Sequence, residues 1–127
     1  MSWYEAAGGE GAVREVLSRL YAQLVVDPMV GFLFDGKDIA HIVEQQVAFT
    51  CAFLGGPHRY EGRSLPSAHA ALPLLSGHFD RRHHLLAQVL EESGMPEAVR
   101  REWLRIDLVL RASVLASGAG AREKTRE

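Results

Sequence analysis

Cysteine is nearly absent from this chain of 127 residues, and its one cysteine, Cys51, cannot form an intramolecular disulfide. No apolar run is long enough to cross a bilayer as a helix, and the first residues lack the basic and then apolar order of a secretion signal. Lys and Arg number 14 against 16 Asp and Glu, without the basic cluster that nucleic acid requires. We therefore expect a cytoplasmic protein that neither spans a membrane nor binds nucleic acid.

Several enzyme signatures are also missing. The motifs HExxH, CxxC, GxSxG and GxGxxG do not occur, so hydrolase, dithiol and dinucleotide-binding functions have no support. His83 and His84 point about 100° apart on a helix and no Cys or carboxylate completes a zinc site with them and His78. We interpret these three histidines as solvated or capping residues and Cys51 as an inert buried thiol. The expected surface histidines are His41 and His58.

Apolar residues are plentiful, at 47%, so one domain of this length can bury a sizeable core. They recur with the spacing of amphipathic helices, and no segment alternates with the period of a strand. We predict an all-α domain over residues 1–117 and a disordered polar tail over 118–127. The predicted longer helices cover residues 11–26, 39–54, 76–93 and 96–117, and shorter helical pieces lie near 28–34 and 66–73.

Three polar side chains interrupt this apolar pattern. Tyr21 lies on the inward stripe of the first long helix, and Gln46 lies among apolar residues of the second. A buried amide without a partner costs a few kcal/mol, so we expect Tyr21 to hydrogen-bond to Gln46. His69 is the only ionisable residue in a short segment bounded by Pro66 and Pro73. Each alone is more often structural, but together they suggest a cofactor pocket with an imidazole on one side.

The order and spacing of short motifs across the chain resemble the group I truncated haemoglobins, which are short two-over-two helical globins. The motifs are Trp3-Tyr4-Glu-Ala-Ala-Gly-Gly9, Leu20-Tyr21, Asp27-Pro28, Phe32-Leu-Phe34, Gln46-Val-Ala-Phe-Thr-Cys-Ala-Phe-Leu-Gly-Gly-Pro57, Tyr60-Glu-Gly-Arg63, Ala68-His69 and His78-Phe79. Each motif is weak alone, but their nearly gap-free order from Trp3 to Leu115 makes the resemblance specific.

The resemblance implies a two-over-two helical sandwich that encloses haem b. It assigns His69 as the proximal iron ligand, Tyr21 and Gln46 as distal groups that stabilise the bound gas, and Phe34, Ile42 and Phe49 as further contacts of the haem. The expected function is reversible binding of O₂, with NO or CO as other ligands, for storage, sensing or NO oxidation. Oxidation of NO would need a separate reductase, because no flavin or nicotinamide motif is present. The alternative is a haem-free helical interaction module.

Two positions depart from the family pattern. Thr50 stands where many relatives carry a bulky aromatic residue, so we expect more open access for a ligand. Arg82 stands where the family usually has an aliphatic residue. One interpretation turns Arg82 outward to a haem propionate, and another rotates its helix relative to those of the relatives.

Overall fold

The structure is a computed structural model that describes residues 2–58 and 75–117, with side chains described up to residue 111. Within these ranges the chain forms five α-helices and one 3₁₀ helix, and contains no strand. The elements are α1 (Trp3–Ala7), α2 (Glu10–Leu24), the 3₁₀ helix (Gly31–Phe34), α3 (Ile39–Phe53), α4 (Ser76–Glu92) and α5 (Glu97–Ser117). The predicted His69 segment and the predicted tail over 118–127 lie outside the described residues.

The first helix, α1, is too short for its apolar spacing to reveal it in the sequence, and its ends explain why it forms. Ser2 accepts a hydrogen bond from the backbone of Glu5, while the Glu5 side chain accepts one from the Ser2 backbone. At the other end Gly8 has a φ of 106°, a left-handed conformation that favours glycine. The backbone N–H of Tyr4 donates to Leu54 at 2.8 Å, which ties α1 to the end of α3.

Helix α2 runs through the core and packs against both α3 and α4. Its inward stripe is almost completely buried, as the spacing of its apolar residues predicts. That stripe consists of Val13, Val16, Leu17, Leu20, Tyr21 and Leu24.

Helices α4 and α5 pack against each other and complete the core. The predicted inward residues of α4 are buried, as are Val99 and Trp103 of α5. The spacing of α4 allows Ser76 as its cap, but Ser76 is the first residue of the helix. His78 contributes at this end instead, since its Nδ1 accepts a hydrogen bond from the Leu75 backbone at 3.0 Å. A side chain inside the first turn thereby satisfies the N–H group of the residue that precedes the helix.

None of the helices in the described ranges is both long and apolar enough to cross a membrane.

Candidate functional site

Tyr21 occupies the last full turn of α2, and only 5% of its surface is exposed. Its ring meets the ring of Phe34 edge to face, with centroids 5.7 Å apart and planes at 85°. This is a favourable arrangement for two aromatic rings, because the positive edge of one faces the negative face of the other. The 3₁₀ helix thereby holds Phe34 against the tyrosine, and two of the predicted site residues are in contact.

Helix α3 presents two different faces. Val47, Thr50 and Cys51 are buried in the core. The face that the sequence pattern predicts as inward is only half-buried at Ile42, Gln46 and Phe49, and Phe53 at its end is 48% exposed. Of the residues on the predicted face, only Thr50 also lies on the most buried face of α3. The most buried face is the one that contacts α2.

The half-buried face of α3 forms an apolar wall beside Tyr21 and Phe34. Ile42 packs against the core cluster that contains Tyr21, and so does Phe34. Phe49 stacks at a tilt on Phe53, with ring centroids 4.6 Å apart. Broad apolar surfaces of this kind bind ligands mainly through burial of apolar area, and a few polar groups set the orientation.

The predicted hydrogen bond between Tyr21 and Gln46 is not formed. Among the side chains that the structure describes, Gln46 has no hydrogen-bond partner, and its half-buried amide is reached by solvent. An amide in that position has no need of a protein partner, since water can satisfy it. Gln46 therefore lies on the same wall as Ile42 and Phe49, and its amide does not hydrogen-bond to Tyr21.

Arg82 of α4 binds an aspartate of α5. Its Nη1 donates to Oδ1 of Asp107 at 2.9 Å. The second oxygen of Asp107 is 2.7 Å from Nδ1 of His83. Arg82 is mostly buried, with 22% of its side chain exposed. The interpretation that turned Arg82 outward is wrong, because Asp107 of α5 holds it between the two helices.

Electrostatics explains how a charged group is tolerated there. Burial opposes the charge of Arg82 and is the largest single influence on its pKa, but Asp107 and then Tyr21 raise that pKa above its ordinary value. Burial likewise opposes the charge of Asp107, yet Arg82 and His83 lower the pKa of this carboxyl group below its usual 3.8. Both groups therefore stay ionised at neutral pH. We refer to Arg82, Asp107 and His83 as the α4–α5 ion cluster.

Sequence patterns missed this cluster, although a signal was present. Arg82 falls three residues after Phe79 and four before Leu86, on an otherwise apolar stripe. Asp107 follows Trp103 by one helical turn. Opposite charges on the inward stripes of two consecutive helices indicate a pair, because a lone buried charge is costly. His83 was expected to be solvated or a cap, and this prediction is wrong because Asp107 binds it.

The other histidines and the cysteine divide as follows. His41 and His84 are exposed and His78 caps α4, as predicted. His58 was expected at the surface but is mostly buried, with Nε2 at 2.8 Å from Glu10 and its ring against Tyr4. Burial raises the pKa of the Cys51 thiol to about 11, which agrees with an inert thiol.

Across residues 2–58 and 75–117 no group of three His, Cys, Asp or Glu side chains could hold a metal ion.

Comparisons with known proteins give a consistent result. The family model of the bacterial-like globins matches residues 2–114. A group 1 truncated haemoglobin of Tetrahymena pyriformis is 34% identical over 103 residues, which cover 81% of this chain and 85% of that protein. The crystal structure of the Fe(III) form of truncated haemoglobin from that organism superposes with a TM-score of 0.83 at 32% identity, over 90% of this chain and 97% of that one.

A second solved structure extends the comparison to a protein of another organism. The 2/2 haemoglobin of Synechococcus, solved in the cyanomet state with covalently attached haem, superposes with a TM-score of 0.84. It is 29% identical and covers 90% of this chain and 98% of that one. The similarity thus extends over nearly the whole length of both chains.

Proposed function

The chain belongs to the bacterial-like globin family, as a group 1 truncated haemoglobin with haem as its cofactor and diatomic gases as its ligands, and from this premise we propose a role for each pocket residue. His69 binds the haem iron from the proximal side. Tyr21 stabilises the bound gas from the distal side, and Gln46 assists it. Phe34, Ile42 and Phe49 contact the porphyrin. The haem-free interaction module has no support.

The described residues fit a porphyrin. A haem is flat and largely apolar, and the half-buried wall of Ile42 and Phe49 on α3 offers apolar area that the core does not cover. Phe34 offers a further aromatic surface beside it. Polar groups are few and of the right kind, since a phenol and an amide can both donate hydrogen bonds to a small ligand. When bound, ferrous haem supplies reversible coordination of the gas.

The observation that carries the distal assignment is the burial of Tyr21 beside this wall. A hydroxyl in apolar surroundings interacts more strongly with a polar ligand than one in water does. A hydrogen bond from Tyr21 to a ligand with partial negative charge contributes about 1.5–3 kcal/mol, which slows O₂ release roughly tenfold to a hundredfold. Gln46, free of Tyr21, can donate its amide hydrogen to the same ligand.

Two variants test the assignments. His69→Ala should lose the Soret absorption band of the haem-loaded protein or shift it strongly, whereas His84→Ala, an exposed histidine, should leave it unchanged. Tyr21→Phe should retain the Soret band and release O₂ roughly ten times faster or more. A normal spectrum in His69→Ala would remove the proximal assignment, and an unchanged release rate in Tyr21→Phe would remove the distal one.

Two further statements belong to this proposal. We place the protein in the cytoplasm, which is supported by its single, buried and unpaired cysteine. A separate electron-donor protein would return ferric iron to the ferrous state, because the sequence contains no flavin or nicotinamide motif. Consumption of NO by the O₂-loaded protein would distinguish NO oxidation from storage or sensing.

A further inference from the structure

The 3₁₀ helix carries two phenylalanines, and each meets a ring from a different helix. Phe34 packs edge to face on Tyr21 of α2, with ring centroids 5.7 Å apart and planes at 85°. Phe32 packs in a similar way on His78 of α4, at 5.4 Å and 71°. Phe34 belongs to the packing of the core around Tyr21, whereas Phe32 is 51% exposed. The two contacts therefore have similar geometry in different surroundings.

Backbone contacts fix the position of Phe34 relative to the end of α2. The 3₁₀ helix starts at Gly31, so close to α2 that a Cβ atom there would lie 2.9 Å from the carbonyl oxygen of Val25. At the other end the carbonyl oxygen of Phe34 accepts a hydrogen bond from the N–H of Lys37 at 3.0 Å. Because both ends are held, the Phe34 ring is a fixed surface beside the last turn of α2, which carries Tyr21.

The plane of the Tyr21 ring decides where its hydroxyl hydrogen points. Rotation about χ2 leaves the phenol oxygen in place, because that oxygen lies on the rotation axis. The hydroxyl hydrogen prefers the plane of the ring, since an oxygen lone pair is conjugated with the aromatic electrons. The χ2 torsion of tyrosine has a broad minimum, so neighbouring groups select the ring plane. An aromatic neighbour selects it sharply, because ring pairs are favourable only in certain arrangements.

We propose that Phe34 is a positioning residue for Tyr21: its ring fixes the plane of the phenol and so directs the hydroxyl hydrogen to the bound gas. This inference rests on the proposed distal role of Tyr21, and it adds to the proposed contact of Phe34 with the porphyrin. The orientation of Tyr21 then comes from an aromatic neighbour instead of from Gln46, which the sequence pattern predicted.

A role for Phe34 in haem contact alone makes a different prediction. If its ring only packed on the porphyrin, removal of the ring would change O₂ release equally with and without the Tyr21 hydroxyl. If Phe34 acts through Tyr21, most of the change should require that hydroxyl. A double-mutant cycle separates the two cases, because it isolates the coupling between the two side chains.

The experiment measures O₂ dissociation from haem-loaded protein by rapid mixing in four forms: wild type, Phe34→Leu, Tyr21→Phe and the double variant. We expect Phe34→Leu to release O₂ roughly three to ten times faster than wild type, as the loss of one aromatic pair implies. In the Tyr21→Phe background the same substitution should change the rate by less than about twofold.

Phe32→Leu is the matched control. Phe32 lies on the same 3₁₀ helix and also packs edge to face, but its ring partner is His78 and not Tyr21. We expect its O₂ release rate to remain within about twofold of wild type. A rate increase as large as that of Phe34→Leu would overturn the inference, because general loosening of the 3₁₀ helix would then explain both.

The infrared band of bound CO reports the direction of the hydroxyl hydrogen. Its stretching frequency falls when a hydrogen-bond donor faces the CO oxygen, and its width grows when the donor has several orientations. Phe34→Leu should therefore raise the frequency and broaden the band while Tyr21 is present. In Tyr21→Phe the same substitution should leave the frequency and the width unchanged.

A measurement that does not depend on ligand release is the rate at which the Tyr21 ring flips. NMR of the CO-bound protein with labelled tyrosine gives this rate, and the signal that disappears in Tyr21→Phe identifies Tyr21. We expect the ring to flip roughly two to ten times faster in Phe34→Leu than in wild type. Phe32→Leu should leave the flip rate within about twofold.

Phe34→Met serves if Phe34→Leu fails to fold or to hold haem. Methionine is apolar and flexible and fills irregular space without an aromatic ring, so it should shift the release rate, the CO band and the flip rate in the same direction.

The outcomes separate the two proposals. Equal effects of Phe34→Leu on release in both backgrounds would overturn the positioning role and leave the distal role of Tyr21 intact. An unchanged flip rate or an unchanged CO band in Phe34→Leu would also overturn the positioning role. No effect of Tyr21→Phe on release would overturn the distal role and the inference with it.

Discussion

Arg81 and Arg82 are neighbours on α4, and each binds an aspartate from a different part of the chain. Arg81 donates through Nε and Nη2 to one oxygen of Asp27, at 3.0 and 2.8 Å, while the other oxygen accepts from the backbone N–H groups of Met29 and Val30. Arg82 instead binds Asp107. The first pair stabilises a backbone turn, and the second joins α4 to α5.

Neighbouring residues of one helix can bind different parts of the chain. Successive residues of an α-helix point about 100° apart, so adjacent arginines reach different neighbours. Arg81 is directed to the segment between α2 and the 3₁₀ helix, and its hydrogen bond is the largest cause that lowers the pKa of Asp27. Arg82 is directed to α5. The same ion-pair chemistry therefore stabilises a turn at one position and joins two long helices at the next.

Asp107→Ala should produce the largest loss of stability. Arg82 would remain as a mostly buried charge without its carboxylate, which costs about 3–5 kcal/mol. Urea denaturation of the haem-loaded protein measures this. Asp80→Ala is the control, because Asp80 pairs with Arg111 at the surface, and it should change the free energy of unfolding by about 0.5 kcal/mol or less. Equal losses in both variants would mean that the α4–α5 ion cluster is no more important than a surface pair.

Asp27→Ala should be next in size. It removes the acceptor of two backbone N–H groups as well as the partner of Arg81, so the turn after α2 loses the hydrogen bonds that the Asp27 side chain makes. We expect the melting temperature to fall by roughly 5–10 °C. Ligand release should change little, because Asp27 bonds to Arg81 and to the backbone of Met29 and Val30, none of which is a proposed pocket residue. A melting temperature that Asp27→Ala leaves unchanged would mean that these hydrogen bonds do not stabilise the turn.

Acid should weaken both pairs. The folded-state pKa values of Asp27 and Asp107 lie below 3.8, so these carboxylates contribute stability above that pH and lose the contribution as pH falls through the folded pKa values. The free energy of unfolding should therefore decrease as pH drops below about 4. Asp27→Asn and Asp107→Asn should each flatten this pH dependence. A slope that neither variant alters would show that other carboxylates dominate acid unfolding.

Arg81→Lys should have the smallest effect. A lysine keeps the charge beside Asp27 but replaces two N–H contacts by one ammonium, at a position that is one-third exposed. We expect the melting temperature to fall by roughly 1–3 °C, measured by circular dichroism at 222 nm. A larger fall than in Asp27→Ala would mean that Arg81 contributes more to the stability of the turn than Asp27 does.

Sequence patterns predicted most of the helices well, because burial of one helical stripe leaves a clear period. The inward residues of α2 and α4 are examples. The inward face of α3 was only partly predicted, since Ile42, Phe49 and Phe53 resemble core residues although the core does not cover them fully. An apolar residue has the same signature in sequence whether it faces the protein interior or the wall of a pocket. Helix α1 escaped prediction because five residues carry too little periodicity.

The prediction of the site residues was also only partly confirmed. Tyr21 and Phe34 are indeed in contact, and Tyr21 is buried. His69 lies outside the described residues, so its role remains a prediction from the family resemblance. The role of Asp107 was missed, because a charged residue on a long helix is usually solvated and its position one turn after Trp103 gains meaning only together with Arg82 on α4.

By itself the sequence determined the all-α class and the globin family, because periodicity and motif order are local properties of the chain. Only the tertiary structure decided which charged side chains pair between α4 and α5. Arg82 binds Asp107, which is 25 residues farther along the chain. Pairs of this kind are set by how the helices pack, and a buried charge requires a counter-charge that only packing can bring to it.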